Sequence, residues 1–342
     1  MPTLLDTSAL NRALDLARQA LWLTSPNPRV GCVITAADGT LLGQGHTQRA
    51  GGPHAEIMAL RDAAERGDSV QGATAWVTLE PCAHQGRTGP CCDALATAGI
   101  GRVVAAMTDP NPQVAGQGMA RLAAAGVLTE TLAPDSDIAL QARELNVGFF
   151  SRMERGLPWV RLKVAASLDG QTALANGQSQ WITGPQARAD GHAWRARACA
   201  ILTGIGTVLE DDPQLNVRGL EVPRQPHLVV VDSRLDMPLT AKLLDTQGAG
   251  EQARQIWVYT ATPDQADKRA ALTARGVTVI DCPGPGGKVD LAAMLRDLAR
   301  REINELHVEA GHKLNGSFIR EGLVDEYLVY IAPQLLGPGQ GM

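Results

Sequence analysis

The chain has 342 residues, 44% of them hydrophobic, with a net charge of −5, and because a single core rarely fills this length we expect two domains. The acidic balance and the lack of any Lys/Arg run exclude the usual signature of a nucleic-acid or membrane-surface partner. Since no apolar stretch long enough to span a membrane and no signal peptide are visible, we expect a cytoplasmic protein whose clustered cysteines serve metal binding or catalysis rather than disulfides.

Elements in the first half of the chain alternate between helix and strand. Apolar residues at helical spacing predict an amphipathic helix over 7–23, which "SPNP" terminates. Two strands flank the Asp38-Gly39 turn and form a predicted hairpin, residues 29–35 and 40–46. The further predictions are a helix over 54–67, a strand over 74–79, a helix over 90–99, a strand over 101–107, and helices over 114–126 and 136–148. This order predicts an α/β sandwich with helices on the sheet faces.

The second half is a separate α/β series that shares no repeat with the first. Residues 151–158, which are charged and contain Gly and Pro, are predicted to be a linker, so the expected domains are residues 1–150 and 151–342. Strands are predicted over 159–167, 199–204, 227–232, 255–260, 276–281, 305–311 and 325–333, and helices over 185–197, 264–275, 290–302 and 313–321. A second α/β domain is therefore expected.

Candidate metal ligands stand at element boundaries in the first half. His54 and Glu56 belong to "HAE" at a predicted helix start, Cys82 follows Pro81 after a strand, and the pair Cys91-Cys92 opens another helix. Two thiolates and one imidazole leave a fourth zinc position for water, which zinc acidifies toward neutral pH. Glu56 would then move the proton of that water. The pattern is similar to the zinc nucleobase-deaminase signature, His-x-Glu followed by Pro-Cys, and predicts one zinc per chain.

The remaining cysteines are predicted to be packing residues or to carry no function. Neighbours on a helix point about 100° apart, so only one of Cys91 and Cys92 should bind metal. Cys32 and Cys199 lie inside apolar strand-like runs and are predicted to be small core residues. Cys282 precedes a Pro/Gly loop and carries no signal.

Longer stretches of the chain resemble a known family. "SPNPRVGCVI", "GQGHTQRAGGPHAE", "LEPCAHQGRTGPC" and "MTDPNPQVAGQG" resemble the bacterial bifunctional riboflavin-biosynthesis deaminase/reductase family. "LKVAASLDGQTALANGQSQWITG", "HAWRARACAILTGIGTVLEDDPQLNVR" and "HVEAGHKLNGSF" resemble its reductase domain. The resemblance, over residues 8–341, implies a cytidine-deaminase-like α/β/α sandwich followed by a dihydrofolate-reductase-like α/β domain. The cysteine spacing in that family selects Cys91, so the implied zinc ligands are His54, Cys82 and Cys91.

For the first domain the resemblance implies deamination of diaminohydroxyphosphoribosylaminopyrimidine, a free phosphorylated compound, with Glu56 as the catalytic residue. The implied substrate-pocket residues are Asn27, His46, His84, Arg87, Asp109 and Asn111. Because the first 150 residues contain no lysine, Arg, His or backbone amides must hold the phosphate. Arg87, in a Gly-flanked loop, can bind it with a planar fork.

For the second domain the resemblance implies reduction of the ribosyl group of 5-amino-6-(5-phosphoribosylamino)uracil to ribityl by NADPH. The implied substrate contacts are Ser179, Arg195, Leu215, Arg218 and Glu309; the implied NADPH contacts are Ala165, Trp181, Thr207, Asp211, Ser233, Gly311, His312, Lys313, Leu314, Asn315, Gly316 and Ser317. From the residues alone, Arg195 and Arg218 could clamp a phosphate. "GIGTVL" suits a phosphate-binding turn but lacks the third Gly of the dinucleotide fingerprint, and no general acid is assigned.

Two other functions remain open from the residues: a nucleic-acid base deaminase with an appended domain, and a zinc-stabilised regulatory binding protein. The first lacks the basic surface it needs, and the second would need a fourth protein ligand and no proton shuttle. A small phosphorylated pyrimidine is therefore the expected partner, and a homo-oligomer is left open. Family members usually continue beyond "LLG", so we expect a chain truncated at its C-terminus, with residues 337–342 lacking fixed structure.

Overall fold

The computed structural model describes residues 4–84, 89–112, 114–176, 182–246 and 253–341. The chain divides into two compact units, Met1–Arg155 and Gly156–Met342. Among the described residues, no helix is both long and apolar enough to cross a bilayer.

The first unit contains a five-stranded sheet with helices on both faces. Its elements are α1 (Leu4–Gln19), β1 (Gly31–Thr35), β2 (Leu41–His46), α2 (Ala55–Arg66), β3 (Thr74–Val77), α3 (Cys91–Thr97), β4 (Arg102–Ala105), α4 (Gln117–Ala124), β5 (Leu128–Thr131), α5 (Asp137–Leu145) and α6 (Val147–Arg155). The strand order is β2-β1-β3-β4-β5; β1 is antiparallel to β2 and β3, and β3, β4 and β5 are parallel.

Alternate residues of the strands enter two separate apolar clusters, as the period of a β-strand requires. One cluster includes Cys32, Ile34, Ala75 and Val77 with residues of α2, α3, α4 and α6. The other includes Val33, Trp76 and Val104 with residues of α1 and α5. The α/β/α sandwich expected from the sequence is therefore confirmed, and Cys32 is a core residue as predicted.

The segment predicted as a linker begins as a helix. Helix α6 continues to Arg155, and its Phe149, Phe150 and Ser151 are buried. The two aromatic rings pack in the core of the first unit, and Arg155 donates to the Ser151 hydroxyl. The helix therefore ends only at Gly156, whose φ of 67° leaves the helical region. The linker prediction for residues 151–155 is wrong because charged residues on the exposed side of an amphipathic helix resemble a solvated connection.

The second unit is built on a seven-stranded sheet. Its elements are β6 (Trp159–Ser167), β7 (Gln171–Leu174), α7 (Pro185–Arg197), β8 (Ala200–Gly204), α8 (Ile205–Asp211), β9 (His227–Val231), β10 (Ile256–Thr260), α9 (Ala266–Ala274), β11 (Val277–Asp281), α10 (Leu291–Arg300), β12 (Glu305–Val308), α11 (His312–Arg320), β13 (Glu326–Ala332) and β14 (Gly339–Gly341), with 3₁₀ turns at Lys242–Thr246 and Pro285–Gly287. The sheet order is β11-β10-β9-β8-β12-β6-β13, and every pair in it is parallel. The inner strands are buried apolar runs, as parallel sheets require.

One exception to this apolar pattern is a buried charged cluster on β6 and β12. Arg161 and Glu305 are almost fully buried, and Arg161 Nη1 donates to Glu305 Oε2 over 3.2 Å. Arg197 of α7 donates to the same carboxylate oxygen over 2.7 Å, and the Arg161 guanidinium stacks 4.3 Å from the Trp194 ring. These ion pairs attach α7 to the sheet, which matters because α7 also carries Arg195.

The C-terminal tail differs from its prediction. Residues 337–342 were expected to lack fixed structure, but Gly339–Gly341 form β14, which pairs antiparallel with β7. Asp169 contributes by accepting backbone hydrogen bonds from Leu336 (3.1 Å) and Gly337 (2.8 Å). A Gly-rich segment carries no side-chain pattern of its own, so its pairing with β7 could not be predicted.

Candidate metal centre and cofactor cleft

Three side chains from separate elements of the first unit converge on one point. His54 Nδ1 lies 3.6 Å from Cys82 Sγ and 3.4 Å from Cys91 Sγ, and all three ligand atoms lie within 4.8 Å of one another. A tetrahedral zinc with bonds of ~2.0–2.1 Å to nitrogen and ~2.3 Å to sulfur separates these atoms by ~3.6 Å. The residues present therefore fit a zinc ion.

Each ligand owes its place to the end of an element. His54 is the N-cap of α2, and Cys91 is the first residue of α3. A Cβ on Gly45 of β2 would lie 2.4 Å from Met58 Cβ, so glycine allows the first turns of α2 to lie directly on the sheet. Cys82 follows the end of β3, and its sulfur accepts the Cys91 backbone N–H over 3.4 Å.

Cys92 takes no part in this cluster. Its side chain is buried in the apolar core of the first unit, and its Sγ lies 3.7 Å from Asp93 Oδ1. The helical offset predicted from the sequence therefore separates the two cysteines, one facing the cluster and the other the core.

The electrostatics of the cluster favour a cation. A hydrogen bond from Cys91, opposed by burial and assisted by His54, lowers the pKa of the Cys82 thiol to about 4. The pKa of Cys91 is raised because Cys82 accepts its proton and because the thiol is buried. A cation bound by both sulfurs would favour both thiolates.

Glu56 lies in the first turn of α2, and its side chain is buried beside the ligands. Burial, with the charge of Cys82 as the next cause, raises the pKa of Glu56 to about 7. A carboxyl group whose pKa is near neutrality can both accept and release a proton under physiological conditions.

The residues predicted to line the substrate pocket lie in loops at the ends of these elements. Asp109 and Asn111 follow β4; Asp109 is buried, and its Oδ1 accepts the Asn111 backbone N–H over 2.8 Å. Burial raises the pKa of Asp109 to about 7. His84 follows Cys82, and its Nδ1 is buried without a partner among the described residues, which leaves it available to a ligand. Arg87 lies outside the described residues.

The other two predicted pocket residues, Asn27 and His46, lie in the α1–β1 loop and at the end of β2, and both are partly exposed. The loop that carries Asn27 is hydrogen-bonded to Asn146, a residue that the sequence did not indicate. Asn146 Oδ1 accepts the Arg29 backbone N–H over 2.7 Å, and its Nδ2 donates to the Arg29 carbonyl over 2.9 Å. A lone Asn near a helix end carries no signal for such a contact.

In the second unit, most of the predicted reductase residues line one cleft of about 1250 Å³. The predicted residues in its wall are Ala165, Arg195, Thr207, Asp211, Leu215, Arg218, Ser233, Glu309, Gly311, His312, Lys313, Leu314, Asn315 and Ser317. Gly316 belongs to α11 but not to the wall, and Ser179 and Trp181 lie outside the described residues. The cleft follows the carboxyl ends of β8, β9 and β12, where parallel α/β sheets bind ligands.

Two strand–glycine–helix turns meet in this cleft. Gly204 precedes α8 and Gly311 precedes α11, and a Cβ on Gly204 would lie 3.1 Å from Leu314 Cδ2, so the two helix starts abut. Among the described residues, neither helix start is capped by a side chain, and Asn315 Oδ1 is buried without a partner. Free N–H groups at helix starts suit phosphates, so these residues fit a dinucleotide.

The two arginines predicted as a phosphate clamp differ in their surroundings. Arg195 makes a bidentate pair with Glu309 (2.5 and 2.9 Å) and donates its remaining Nη to the Asn216 carbonyl over 3.0 Å. Burial opposes ionisation of Glu309, but Arg195, followed by His307 and Lys163, holds its pKa well below the usual range. Arg195 is therefore committed to Glu309 and does not present a free fork.

Arg218 is exposed, and among the described residues its Nη1 contacts only neutral oxygens, of Gln214 (3.2 Å) and Asn216 (2.5 Å). No carboxylate in this part of the chain pairs with it, so its guanidinium can bind an anionic ligand. Of the predicted clamp, the geometry therefore favours Arg218 as the phosphate partner.

Comparison with known proteins finds a family match for each unit. Residues 5–107 match the cytidine and deoxycytidylate deaminase zinc-binding region, and residues 158–342 match the RibD C-terminal domain. The riboflavin biosynthesis protein RibD of Escherichia coli K12 is 46% identical over 97% of this chain and 89% of its own length. The chain belongs to the RibD family. The resemblance predicted from the sequence motifs is thereby confirmed.

Solved structures of the RibD family share the fold over nearly the whole chain. Acinetobacter baumannii RibD has a TM-score of 0.87 at 43% identity, covering 99% of this chain and 90% of its own. A diaminohydroxyphosphoribosylaminopyrimidine deaminase/5-amino-6-(5-phosphoribosylamino)uracil reductase from Thermotoga maritima has a TM-score of 0.84 at 30% identity, covering 98% and 89%. As a RibD family member the chain is a bifunctional enzyme of riboflavin biosynthesis, with a zinc-binding deaminase unit and a reductase unit that implies a nicotinamide cofactor.

Proposed function

We propose that the first unit deaminates diaminohydroxyphosphoribosylaminopyrimidine and that the second reduces the ribosyl group of 5-amino-6-(5-phosphoribosylamino)uracil to ribityl. The observation that carries the proposal is the convergence of His54, Cys82 and Cys91 at tetrahedral zinc spacing beside the buried Glu56. The Thermotoga maritima relative bears both activities in its name.

In the deaminase unit, His54 Nδ1 and the sulfurs of Cys82 and Cys91 would hold zinc. When bound, zinc supplies the Lewis acidity that makes water nucleophilic near neutral pH. The Glu56 carboxylate accepts the two protons of the attacking water in turn and passes one to the ring nitrogen and the other to the departing amine, which leaves as ammonia. We propose that Asp109 and His84, whose Nδ1 has no partner among the described residues, orient the pyrimidine and that Arg87 binds the phosphate.

In the reductase unit, the helix starts after Gly204 and Gly311 would hold the cofactor phosphates. The bound nicotinamide supplies the hydride, and the protein binds and orients the reactants. Glu309, kept ionised by Arg195, can accept hydrogen bonds from substrate hydroxyl or amine groups. We propose that Arg218 binds the substrate phosphate.

We propose that the cofactor is NADPH rather than NADH because cations without a buried partner line the outer part of the cleft. Arg234, which directly follows Ser233, is 83% exposed and contacts Asp236 over 3.1 Å. Lys288, also exposed, lines the same cleft. A 2′-phosphate is the group that such cations distinguish between the two dinucleotides.

Replacing Arg234 by alanine is expected to raise the KM for NADPH about tenfold, the loss of one charged hydrogen bond. The KM for NADH should stay unchanged, since NADH lacks the 2′-phosphate. Steady-state reduction with each cofactor measures both values, and Arg301→Ala, at the C-cap of α10 and outside the cleft wall, is the matched control. Equal increases for NADPH and NADH would contradict the assignment.

Replacing Arg218 by alanine is expected to raise the KM for the pyrimidine at least about tenfold and to leave the melting temperature unchanged, because an exposed arginine contributes little stability. Arg195→Ala should instead lower the melting temperature, because it leaves the buried Glu309 carboxylate without its main partner. Reduction assays and thermal unfolding of both variants test this division. A phosphate role for Arg195 would be indicated if its KM effect appeared without any loss of stability.

The proposed function is tested with purified protein and two substrates. Ammonia release from the diaminopyrimidine measures the first activity, and NADPH oxidation with the deaminated intermediate measures the second. Ammonia release from single-stranded DNA or RNA, but not from the free pyrimidine, would favour a nucleic-acid base deaminase. Zinc binding without either activity would favour a regulatory binding protein. The net charge of −5 supports the small phosphorylated substrate over a nucleic acid.

We propose a cytoplasmic location for this reaction, supported by the six cysteines, all of which are free thiols.

A further inference from the structure

The carboxylate of Glu80 has an unusual set of partners. Its Oε2 accepts the backbone N–H of Asp109 (3.1 Å) and of Gly116 (2.9 Å). Its Oε1 accepts the N–H of Gly118 (2.9 Å) and of Met119 (3.2 Å). The residue is 3% exposed. One buried carboxylate therefore satisfies four main-chain donors. Two of them, Asp109 and Gly116, lie between β4 and α4, and the other two, Gly118 and Met119, lie in the first turn of α4.

The topology of the sheet explains this contact. Strands β3 and β4 are parallel neighbours, so the segments that follow them leave the same edge side by side, and the Glu80 N–H donates to the Met107 carbonyl over 2.9 Å. The approach is tight, because a Cβ on Gly118 would lie 1.9 Å from the Pro81 carbonyl oxygen.

Glu80 also replaces the cap that α4 lacks. The N-cap of α4 is Gly116, which offers no side chain to the first N–H groups of the helix. These groups have no partner within a helix, and a negative charge beside them is favourable. Glu80 supplies both the acceptor and the charge from a different element.

We propose that Glu80 is a positioning residue of the deaminase, which fixes Asp109 relative to the zinc-ligand segment at Cys82. The proposal rests on the deaminase function of the first unit. Glu80 lies two residues before Cys82 in the chain, and it holds Asp109 by the main chain. It therefore acts on substrate binding through Asp109 while it touches no reacting atom.

Glu80→Gln tests this role because the amide has nearly the same shape as the carboxylate. Its NH₂ group, however, faces two backbone N–H donors and cannot accept their hydrogen bonds. The KM for the diaminopyrimidine is expected to rise at least about tenfold, with kcat changed less, since one oxygen loses its acceptor function. Zinc content and NADPH-dependent reduction should match the wild type. Glu130→Gln, an exposed glutamate of β5 paired with Arg102, is the matched control and should leave all four quantities unchanged.

A double-mutant cycle distinguishes action through Asp109 from a general effect on the fold. If Glu80 acts through Asp109, the KM effects of Glu80→Gln and Asp109→Asn should be strongly non-additive. Additive effects, or an unchanged KM in Glu80→Gln, would overturn the proposal. Loss of zinc in Glu80→Gln would do the same, because it would place the role at the ligand segment instead.

Hydrogen exchange of the wild-type protein tests the anchor without any variant or activity. The amides of Asp109, Gly116, Gly118 and Met119 should be protected, although loop and first-turn amides normally exchange fast. Exchange of these amides at the rate of unprotected loop amides would overturn the proposal. If the wild-type protein released no ammonia from the pyrimidine, the proposed function would fail, while this exchange measurement would still decide the role of Glu80 as an anchor.

Discussion

Glu56→Gln is expected to lower ammonia release by at least about 10²–10⁴-fold, the contribution of a general acid/base. The amide has nearly the same shape as the carboxyl but cannot accept and release the proton. Zinc content should stay at one per chain, because Glu56 is not among the three ligand side chains. Ammonia release under saturating substrate and metal analysis of the same sample measure both quantities.

The control for Glu56→Gln is the second activity of the same molecule. The three ligand residues of the zinc cluster belong to the unit that ends at Arg155, whereas the described residues that line the cofactor cleft begin at Lys163. Reduction of the deaminated pyrimidine should therefore stay within about twofold of the wild type, as expected for separate cores. If Glu56→Gln abolished reduction while folding and zinc were intact, the separation of the two sites would be wrong.

Cys91→Ser is expected to remove zinc and, with it, all deaminase activity. The hydroxyl is a far weaker zinc ligand than a thiolate, and two remaining ligands from His54 and Cys82 do not hold the ion against dilution. Metal analysis after gel filtration should find close to one zinc in the wild type and nearly none in the variant.

The neighbouring residue provides the matched control. Cys92→Ser makes the same chemical change one position along α3, where the thiol faces the apolar core. It should keep zinc and lose stability, because it buries a hydroxyl in apolar surroundings. Full zinc content in Cys91→Ser, or loss of zinc in Cys92→Ser with the fold intact, would contradict the ligand assignment.

The zinc cluster could be predicted from the sequence because each ligand marks the end of an element. Turn and helix-start signals place His54 and Cys91 at helix N-termini and Cys82 after a strand, and a three-residue ligand set tolerates small errors in these boundaries. Helix geometry alone shows that only one of Cys91 and Cys92 can bind zinc, whereas the choice of Cys91 depends on the resemblance to the family. The order of helices and strands along the chain also predicts the α/β class of both units.

Contacts between distant segments could not be predicted in the same way. Glu80 and Asn146 accept hydrogen bonds from main-chain N–H groups 29 or more residues away. Every residue type except proline has such a group, so the partner cannot be predicted from the pattern of side chains. The pairing of Arg195 with Glu309 likewise depends on how α7 lies on the sheet, where Arg197 pairs with Glu305 and the Trp194 ring stacks on Arg161. From the sequence alone, a polar residue inside a strand is assigned to the exposed face, because its buried partner is not known.

The strand order of the second sheet means that this unit can complete its fold only when the last part of the chain has been synthesised. Strand β6 leaves the ribosome first, yet its neighbours are β12 and β13, so Trp159 must wait for Glu305 to be made. The first unit closes its sheet with β5, before β6 is made. A nascent chain thus carries a finished deaminase unit followed by a strand without its sheet neighbours, and the long loops to be closed predict slower folding of the reductase unit. Pulse-labelled chains stalled before residue 305 should be resistant to protease only in their first unit.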